Sequence, residues 1–139
     1  MLTGQYQHNM DAKGRVTIPA KFREELGEPF CVCRGIDGCL FALSMEQWDK
    51  LAASLTEKPM AQARALQRAF FSTVEEVTPD KQGRILLPPS LRALGGLEKD
   101  VTVVGMMTRA EIWDTGRWEA YNQSQTDEAL EKMMTELGI

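Results

Sequence analysis

The sequence predicts a mixed α+β fold, rich in β-strands, in which two copies of one short motif form a single pseudo-symmetric barrel with flanking helices. Three observations lead to this prediction. The chain contains an internal repeat that spans most of its 139 residues, and each copy holds short apolar strands bounded by turn residues. One copy of about 45 residues buries too little surface to fold alone. We therefore expect the two copies to interlock, so that each covers unpaired strand edges of the other.

The internal repeat is clearest in two segments, DAKGRVTIP at residues 11–19 and DKQGRILLP at residues 80–88, which align without gaps. The match extends a further four residues and, after one inserted residue, resumes at Ala42 and Ile112 and includes Trp48 and Trp118. Asp, Gly, Arg, Pro and Trp thus stay in register over about 40 residues. Chance similarity does not maintain such a register, so the pattern indicates a duplication.

Each copy predicts a glycine-containing turn followed by short strands. In the first strand after the turn, Val16 and Ile18 alternate with Arg15 and Thr17. Because successive side chains of a strand point to opposite faces, the apolar pair is expected to face the core and the polar pair solvent. The predicted strands are Arg15–Ile18, Phe30–Cys33 and Cys39–Leu43 in the first copy, and Arg84–Leu87, Val101–Val104 and Ala110–Trp113 in the second.

The helices are indicated by prolines, caps and apolar spacing. A proline after the strand opens a short helix in each copy, since proline needs no amide donor in a first turn. Helices 60–71 and 126–137 are predicted from apolar residues at helical spacing. Their apolar stripes are candidate assembly surfaces, although burial in the core is the more frequent use of such a stripe. The expected caps and stops are Pro19, Pro88, Gly27, Gly95, Ser44 with Gln47, and Asp114; the stripe of the last helix is Leu130, Met133, Met134 and Leu137.

The elements divide the chain into a first motif at residues 5–47, linking helices at 48–75, a second motif at 76–119 and an acidic C-terminal helix at 120–139. The net charge of −4 comes from the C-terminal part. Residues 110–139 hold seven acidic and two basic residues, a net of −5, whereas residues 1–109 hold 13 acidic and 14 basic, a net of +1. A field depends on where charges lie, so a local basic face is compatible with this composition.

Composition also predicts the compartment. No apolar run approaches the roughly 20 residues that a membrane-spanning helix needs, and the first residues lack the pattern of a secretory signal. Cys31, Cys33 and Cys39 are odd in number and clustered in one apolar stretch. This spacing does not fit a disulfide framework or a metal-binding knuckle, so buried strand thiols in the reducing cytoplasm are expected.

A cluster of basic residues marks the first copy. Lys13, Arg15, Lys21 and Arg23 lie within eleven residues, on the turn, the strand and the short helix. Guanidinium and ammonium groups on a rigid turn and strand suit contacts to DNA phosphates, and arginine can also bind guanine. The second copy keeps Lys81, Arg84 and Arg92 but has Gln82, Leu86 and Ser90 where the first has Lys13, Thr17 and Lys21, and it is expected to be the weaker surface.

A structural interpretation of the same arginines is also open. Arg15 lies four residues after Asp11, and Arg84 lies four residues after Asp80. Each pair can be an ion pair that holds the turn, and such a pair contributes little stability when exposed. The duplicated Asp-x-x-Gly-Arg would then be a folding signature.

The tandem Asp-x-Lys-Gly-Arg-x-x-x-Pro-x-x-x-Arg pattern, the length and the middle helix resemble the MraZ family of bacterial transcription regulators, of the AbrB/SpoVT swapped-hairpin superfamily. The resemblance covers essentially the whole chain. It implies two SpoVT-AbrB-like motifs that form one barrel, and barrels that assemble into a ring. It also implies binding to short promoter repeats upstream of the division and cell-wall gene cluster, often as a repressor, in association with the nucleoid. The family's DNA-contacting motif falls on Lys13, Arg15, Lys21 and Arg23.

Other function classes find less support in the sequence. The single histidine, His8, has no nucleophile motif around it, and no glycine-rich phosphate loop occurs, so an enzyme is not expected. No cofactor, metal, membrane or small-molecule substrate is expected either. A protein-interaction module of the antitoxin-like type remains the alternative. Such proteins usually have one copy of the motif and a disordered partner-binding tail, whereas this chain has two copies and a helical tail.

Overall fold

The computed structural model describes all 139 residues and contains eight strands and six helices. Six strands form one antiparallel sheet and two form a separate ribbon. The strands are β1 Gln5–Asn9, β2 Arg15–Thr17, β3 Phe30–Arg34, β4 Leu40–Ser44, β5 Glu75–Val77, β6 Arg84–Leu86, β7 Asp100–Gly105 and β8 Ala110–Asp114. The helices are α1 Ala20–Leu26, α2 Met45–Glu57, α3 Met60–Phe71, α4 Pro89–Gly95, α5 Thr115–Ser124 and α6 Asp127–Leu137.

The two copies exchange strands. In the six-stranded sheet the order is β1-β7-β8-β4-β3-β5. The first strand of each copy therefore pairs with the other copy, β1 with β7 and β5 with β3, while β4 and β8 join the copies at the centre. The ribbon consists of β2 and β6, one strand from each copy. The two copies therefore interlock as the sequence predicted, and the outer edges of β1 and β5 stay unpaired at the two ends of the sheet.

The ribbon follows the pseudo-symmetry of the duplication. Val16 is opposite its equivalent Ile85, so the axis that relates the copies passes between them. The backbone bonds beside the ribbon are reciprocal: Ile18 donates to the carbonyl of Gly83 at 2.9 Å, and Leu87 donates to that of Gly14 at 3.0 Å. Each copy therefore holds the turn of the other in place.

The sheet has an apolar cluster on each face. One cluster of 18 buried residues joins the sheet to the ribbon and the short helices α1 and α4, and it includes Val16, Ile18 and Ile85. The other, of eight buried residues, joins the sheet to α2 and α3, with Trp118 of α5 packed against it. The ribbon and the long helices α2 and α3 thus lie on opposite sides of the sheet. The predicted division of the first ribbon strand is confirmed, since Val16 and Ile18 are fully buried whereas Arg15 and Thr17 keep access to solvent.

The α+β class and the predicted helices and strands agree with the structure, with ends that differ by one or two residues. The predicted barrel is not confirmed, because the large sheet is open and the ribbon is separate from it. One helix stop was wrong: Gly95 is the last residue of α4, and Gly96 adopts the left-handed conformation, at φ 60°. Gly95 packs closely on Leu40 and Leu97, where an added Cβ would be 3.2 Å from a side-chain carbon of each. Core burial, the more frequent use of an apolar stripe, is wrong for α6, since no residue of this helix is buried. No helix is long and apolar enough to cross a membrane.

Candidate nucleic-acid interface

The outward face of the β2–β6 ribbon brings both arginines of the duplicated motif together. In an antiparallel pair, directly opposed residues point to the same face. Arg15 is opposite Leu86 and Thr17 is opposite Arg84, so these four side chains share the outer face, while Val16 and Ile85 share the buried one. The two copies therefore contribute to one surface. We call the outer face, with the turn lysines Lys13 and Lys81, the basic ribbon.

Each arginine of the basic ribbon is held by the aspartate four residues before it. The Arg15 Nε donates to Asp11 Oδ2 at 2.6 Å, and the Arg84 Nε donates to Asp80 Oδ2 at 2.9 Å. Asp11 Oδ1 also accepts from the backbone amides of Lys13 and Arg15, which closes the turn. The ion pair that the sequence left as a structural alternative is therefore present in both copies.

These ion pairs hold the arginines in place and leave part of their N–H donors free for a ligand. Only Nε of each guanidinium donates a hydrogen bond within the protein; the Nη groups of Arg15 and Arg84 donate none. The Arg84 Nη1 lies 3.8 Å from Asp11 Oδ2, the same oxygen that Arg15 contacts, so the two guanidinium groups are neighbours. Their side chains are 31% and 28% exposed. Fixed guanidinium groups with free Nη donors can bind phosphate oxygens or the acceptors of a guanine edge.

The lysines surround this pair with positive charge. Lys13 and Lys81 are exposed on the two turns, and Lys21 is exposed at the start of α1. None of the three is in an ion pair with a carboxylate within 4 Å. The basic ribbon holds four cationic side chains. Together with the two aspartates that bind its arginines, they give a local net charge of +2 in a chain whose net charge is −4.

Arg23 and Arg92, which the sequence grouped with the other basic residues, contact the opposite copy. The Arg23 Nε donates to the carbonyl of Ile18 at 3.0 Å. Its guanidinium lies so close to Gly83 that an added Cβ would be 2.6 Å from Cζ, and Arg92 lies in the same way over Gly14, at 2.8 Å. The Arg92 Nε is buried and has no hydrogen-bond partner. Both arginines are half-buried and pack against a turn of the opposite copy, so part of each is used in the scaffold.

Sequence reasoning missed two features of this surface. It treated the copies as a strong and a weak surface, whereas the structure places Arg84 beside Arg15. It also counted Leu86 only as a lost polar residue, whereas Leu86 lies opposite Arg15 on the outer face and is 59% exposed. The signal for the first feature was present, since two short equivalent strands with open edges can pair with each other across a pseudo-twofold axis.

The predicted buried thiols are confirmed. Cys31, Cys33 and Cys39 are buried and free. Burial raises the pKa of the Cys31 thiol to about 11 and those of the Cys33 and Cys39 thiols to about 12. Because the thiolate is the reactive form, these cysteines are unreactive near neutral pH and belong to the core.

The turns make a testable contribution to stability in acid. The backbone amides of Arg15 and Arg84, followed by their side chains, lower the pKa of the Asp11 and Asp80 carboxyls below the ordinary 3.8. A lowered folded-state pKa stabilises the protein above the unfolded-state pKa, and this contribution is lost as the pH falls through the folded-state pKa.

We therefore expect Asp11→Asn with Asp80→Asn to lower the free energy of unfolding at neutral pH and to make its acid dependence flatter. Urea unfolding measured at steps between about pH 6 and about pH 3 compares the slopes. The pair Glu46→Gln with Glu57→Gln, on α2, serves as the matched control. Equal acid dependence in wild type and the Asp variant would contradict the role given to the turns.

Comparison with known proteins gives consistent matches over the whole chain. A family model described as "MraZ protein, putative antitoxin-like" matches twice, at residues 1–69 and 70–137, in agreement with the duplication. The transcriptional regulator MraZ of Acetivibrio thermocellus is 50% identical over 143 residues, with 100% of both chains covered. That of a Thermoanaerobacter species is 49% identical, with 99% of this chain and 96% of the relative covered, and that of Clostridium tetani is 44% identical, with both covered fully.

Proposed function

This chain belongs to the MraZ family, and on that premise we propose that it is a sequence-specific, DNA-binding transcription regulator that acts as an oligomer. Its relatives carry the name of a transcriptional regulator, and the family is not one of enzymes. The finer proposals follow from the family. The regulator binds short promoter repeats in double-stranded DNA and represses the division and cell-wall gene cluster, including its own gene. It works in the cytoplasm in association with the nucleoid.

The observation that carries DNA binding is the basic ribbon. Two guanidinium groups, fixed by Asp11 and Asp80, keep Nη donors that make no hydrogen bond within the protein, and lysines lie on the turns beside them. A two-stranded ribbon has the width that the major groove of DNA admits. We assign the phosphate and base contacts to Lys13, Arg15, Lys81 and Arg84, with Lys21 beside them. Arg23 and Arg92 act mainly by holding the turns.

Two features support assembly into a ring: the small number of DNA contacts that one subunit offers, and the exposed stripe of α6. A few phosphate contacts bind weakly and lose affinity steeply as salt rises. Several ribbons on one particle bind spaced repeats far more strongly, because the second contact is made at a high effective concentration. Leu130, Met133, Met134 and Leu137 of α6 are 44–74% exposed. A helix with a continuous apolar face and no buried residue is the best candidate for the contact between subunits.

Selection from a pool of duplexes with a randomised centre tests the proposed function. We expect the purified protein to enrich a short motif that occurs more than once in each bound duplex. We also expect the logarithm of the association constant to fall linearly with the logarithm of salt concentration, by about 0.9 per phosphate contact. Fluorescence anisotropy with an enriched duplex and a scrambled duplex of the same composition measures both. An antitoxin-like module without DNA recognition would enrich nothing and would bind both duplexes equally.

A further inference from the structure

Leu86 is an apolar side chain on the same outer face as the two arginines of the basic ribbon. It is 59% exposed, with Arg15 opposite it on β2 and Arg84 two residues before it on β6. The fold does not need it, because its neighbours Ile85 and Leu87 are the residues of this strand that are fully buried. A single exposed leucine is ordinary on a protein surface. It needs an explanation here because it lies opposite one fixed arginine of the basic ribbon and on the same strand as the other.

The base edges in the major groove offer one apolar group, the 5-methyl of thymine. If the ribbon enters that groove, the arginines reach phosphates or guanine, and the leucine beside them on the same outer face meets base edges. From this geometry we infer that Leu86 contacts the methyl group of a thymine and so selects for a T·A pair at one position of each bound repeat. The inference rests on the proposed function, since it assigns a further base-reading residue to the same surface.

The duplication makes this contact one-sided. The residue equivalent to Leu86 in the first copy is Thr17, which is opposite Arg84 on the other half of the outer face. The arginines are nearly symmetric about the ribbon axis, but the first copy has no leucine at the position equivalent to Leu86. Each subunit therefore discriminates thymine strongly at one position, and the ribbon reads a repeat in one orientation.

Replacement of thymidine by deoxyuridine tests the inference, because it removes only the methyl group. A duplex enriched by the wild-type protein from the random pool is synthesised with each thymidine replaced in turn. At one position per repeat, the wild-type protein should bind the deoxyuridine duplex about fourfold more weakly, as expected for one buried methyl group. Leu86→Ala should bind the thymidine and deoxyuridine duplexes equally at that position, and should keep the particle mass and the circular dichroism of the wild type.

Leu66→Ala is the matched control, because Leu66 is an exposed leucine on α3, on the other side of the sheet. It should discriminate thymidine from deoxyuridine as the wild type does. The inference is overturned if the wild type is indifferent to every replacement, or if Leu86→Ala discriminates as the wild type does. A change of particle mass in Leu86→Ala would also overturn it, by making Leu86 an assembly contact. In these cases the wild type still enriches a duplex, whereas enrichment of none would remove the proposed function itself.

Discussion

Arg15→Ala together with Arg84→Ala should abolish specific DNA binding while the protein keeps its fold and its particle mass. The Nε of each guanidinium donates to an aspartate, and its Nη donors make no hydrogen bond within the protein. Loss of one arginine contact to a base costs about 1–3 kcal/mol, which is about 5- to 150-fold in affinity. In the proposed oligomer, the two losses occur in every subunit. Each single variant should bind measurably better than the double variant. Since Arg84 lies beside Arg15, we expect the two single variants to be similarly impaired.

The matched control is Arg64→Ala with Arg68→Ala. These arginines are exposed on α3, on the opposite side of the sheet from the ribbon, so the variant loses the same charge at a different place. Anisotropy titration with an enriched duplex at several salt concentrations measures the affinity and the salt slope together. Similar losses in both double variants would show that net charge, and not the basic ribbon, determines binding. Unchanged binding in Arg15→Ala with Arg84→Ala would exclude the ribbon as the interface.

The second large effect is expected from the α6 stripe. Leu130→Ser with Met134→Ser should convert the particle into subunits of 15.6 kDa, because the exposed apolar face of α6 has no cover within the chain. Binding to a duplex with several repeats should then weaken by about 100-fold or more, since the gain from linked contacts is lost. Binding to a duplex with one repeat should change little. Light scattering gives the mass, and titration with the two duplexes gives the affinities.

Lys132→Ser with Glu136→Ser is the control for this variant, because it places two serines on the other side of α6 and leaves the net charge unchanged. It should keep the mass and both affinities of the wild type. A stripe variant that keeps the particle mass would assign assembly to another surface. A stripe variant that forms single subunits but binds the repeated duplex at full strength would show that assembly does not contribute to affinity.

The basic ribbon shows why half of the site could be predicted from the sequence. Asp11, Gly14 and Arg15 recur as Asp80, Gly83 and Arg84, and a local turn of this kind is determined by residues within four positions of one another. The alternation of Val16 and Arg15 likewise determines which side chains are buried. Such short-range patterns specify the turn, the strand and the presence of basic residues on its outer face.

Where those residues lie relative to the second copy depended on pairing between segments about 70 residues apart. The sequence predicted a single barrel, which is not confirmed, since the structure has an open six-stranded sheet with a separate ribbon. The same pairing places Arg84 next to Arg15, places Leu86 opposite Arg15 on the outer face, and brings Arg23 against Gly83. No local pattern contains this information, because it arises from which edges meet.

The sequence by itself determined the duplication, most of the helices and strands, the buried and exposed faces of the first ribbon strand and the family to which the chain belongs. Only the tertiary structure decided that both copies build one basic surface, that two of the arginines support the turns, and that the stripe of α6 is left uncovered. The physical reason is the range of the interactions. Turns, caps and side-chain alternation act between near neighbours in the chain, whereas strand pairing and burial act between segments that only the folded molecule brings together.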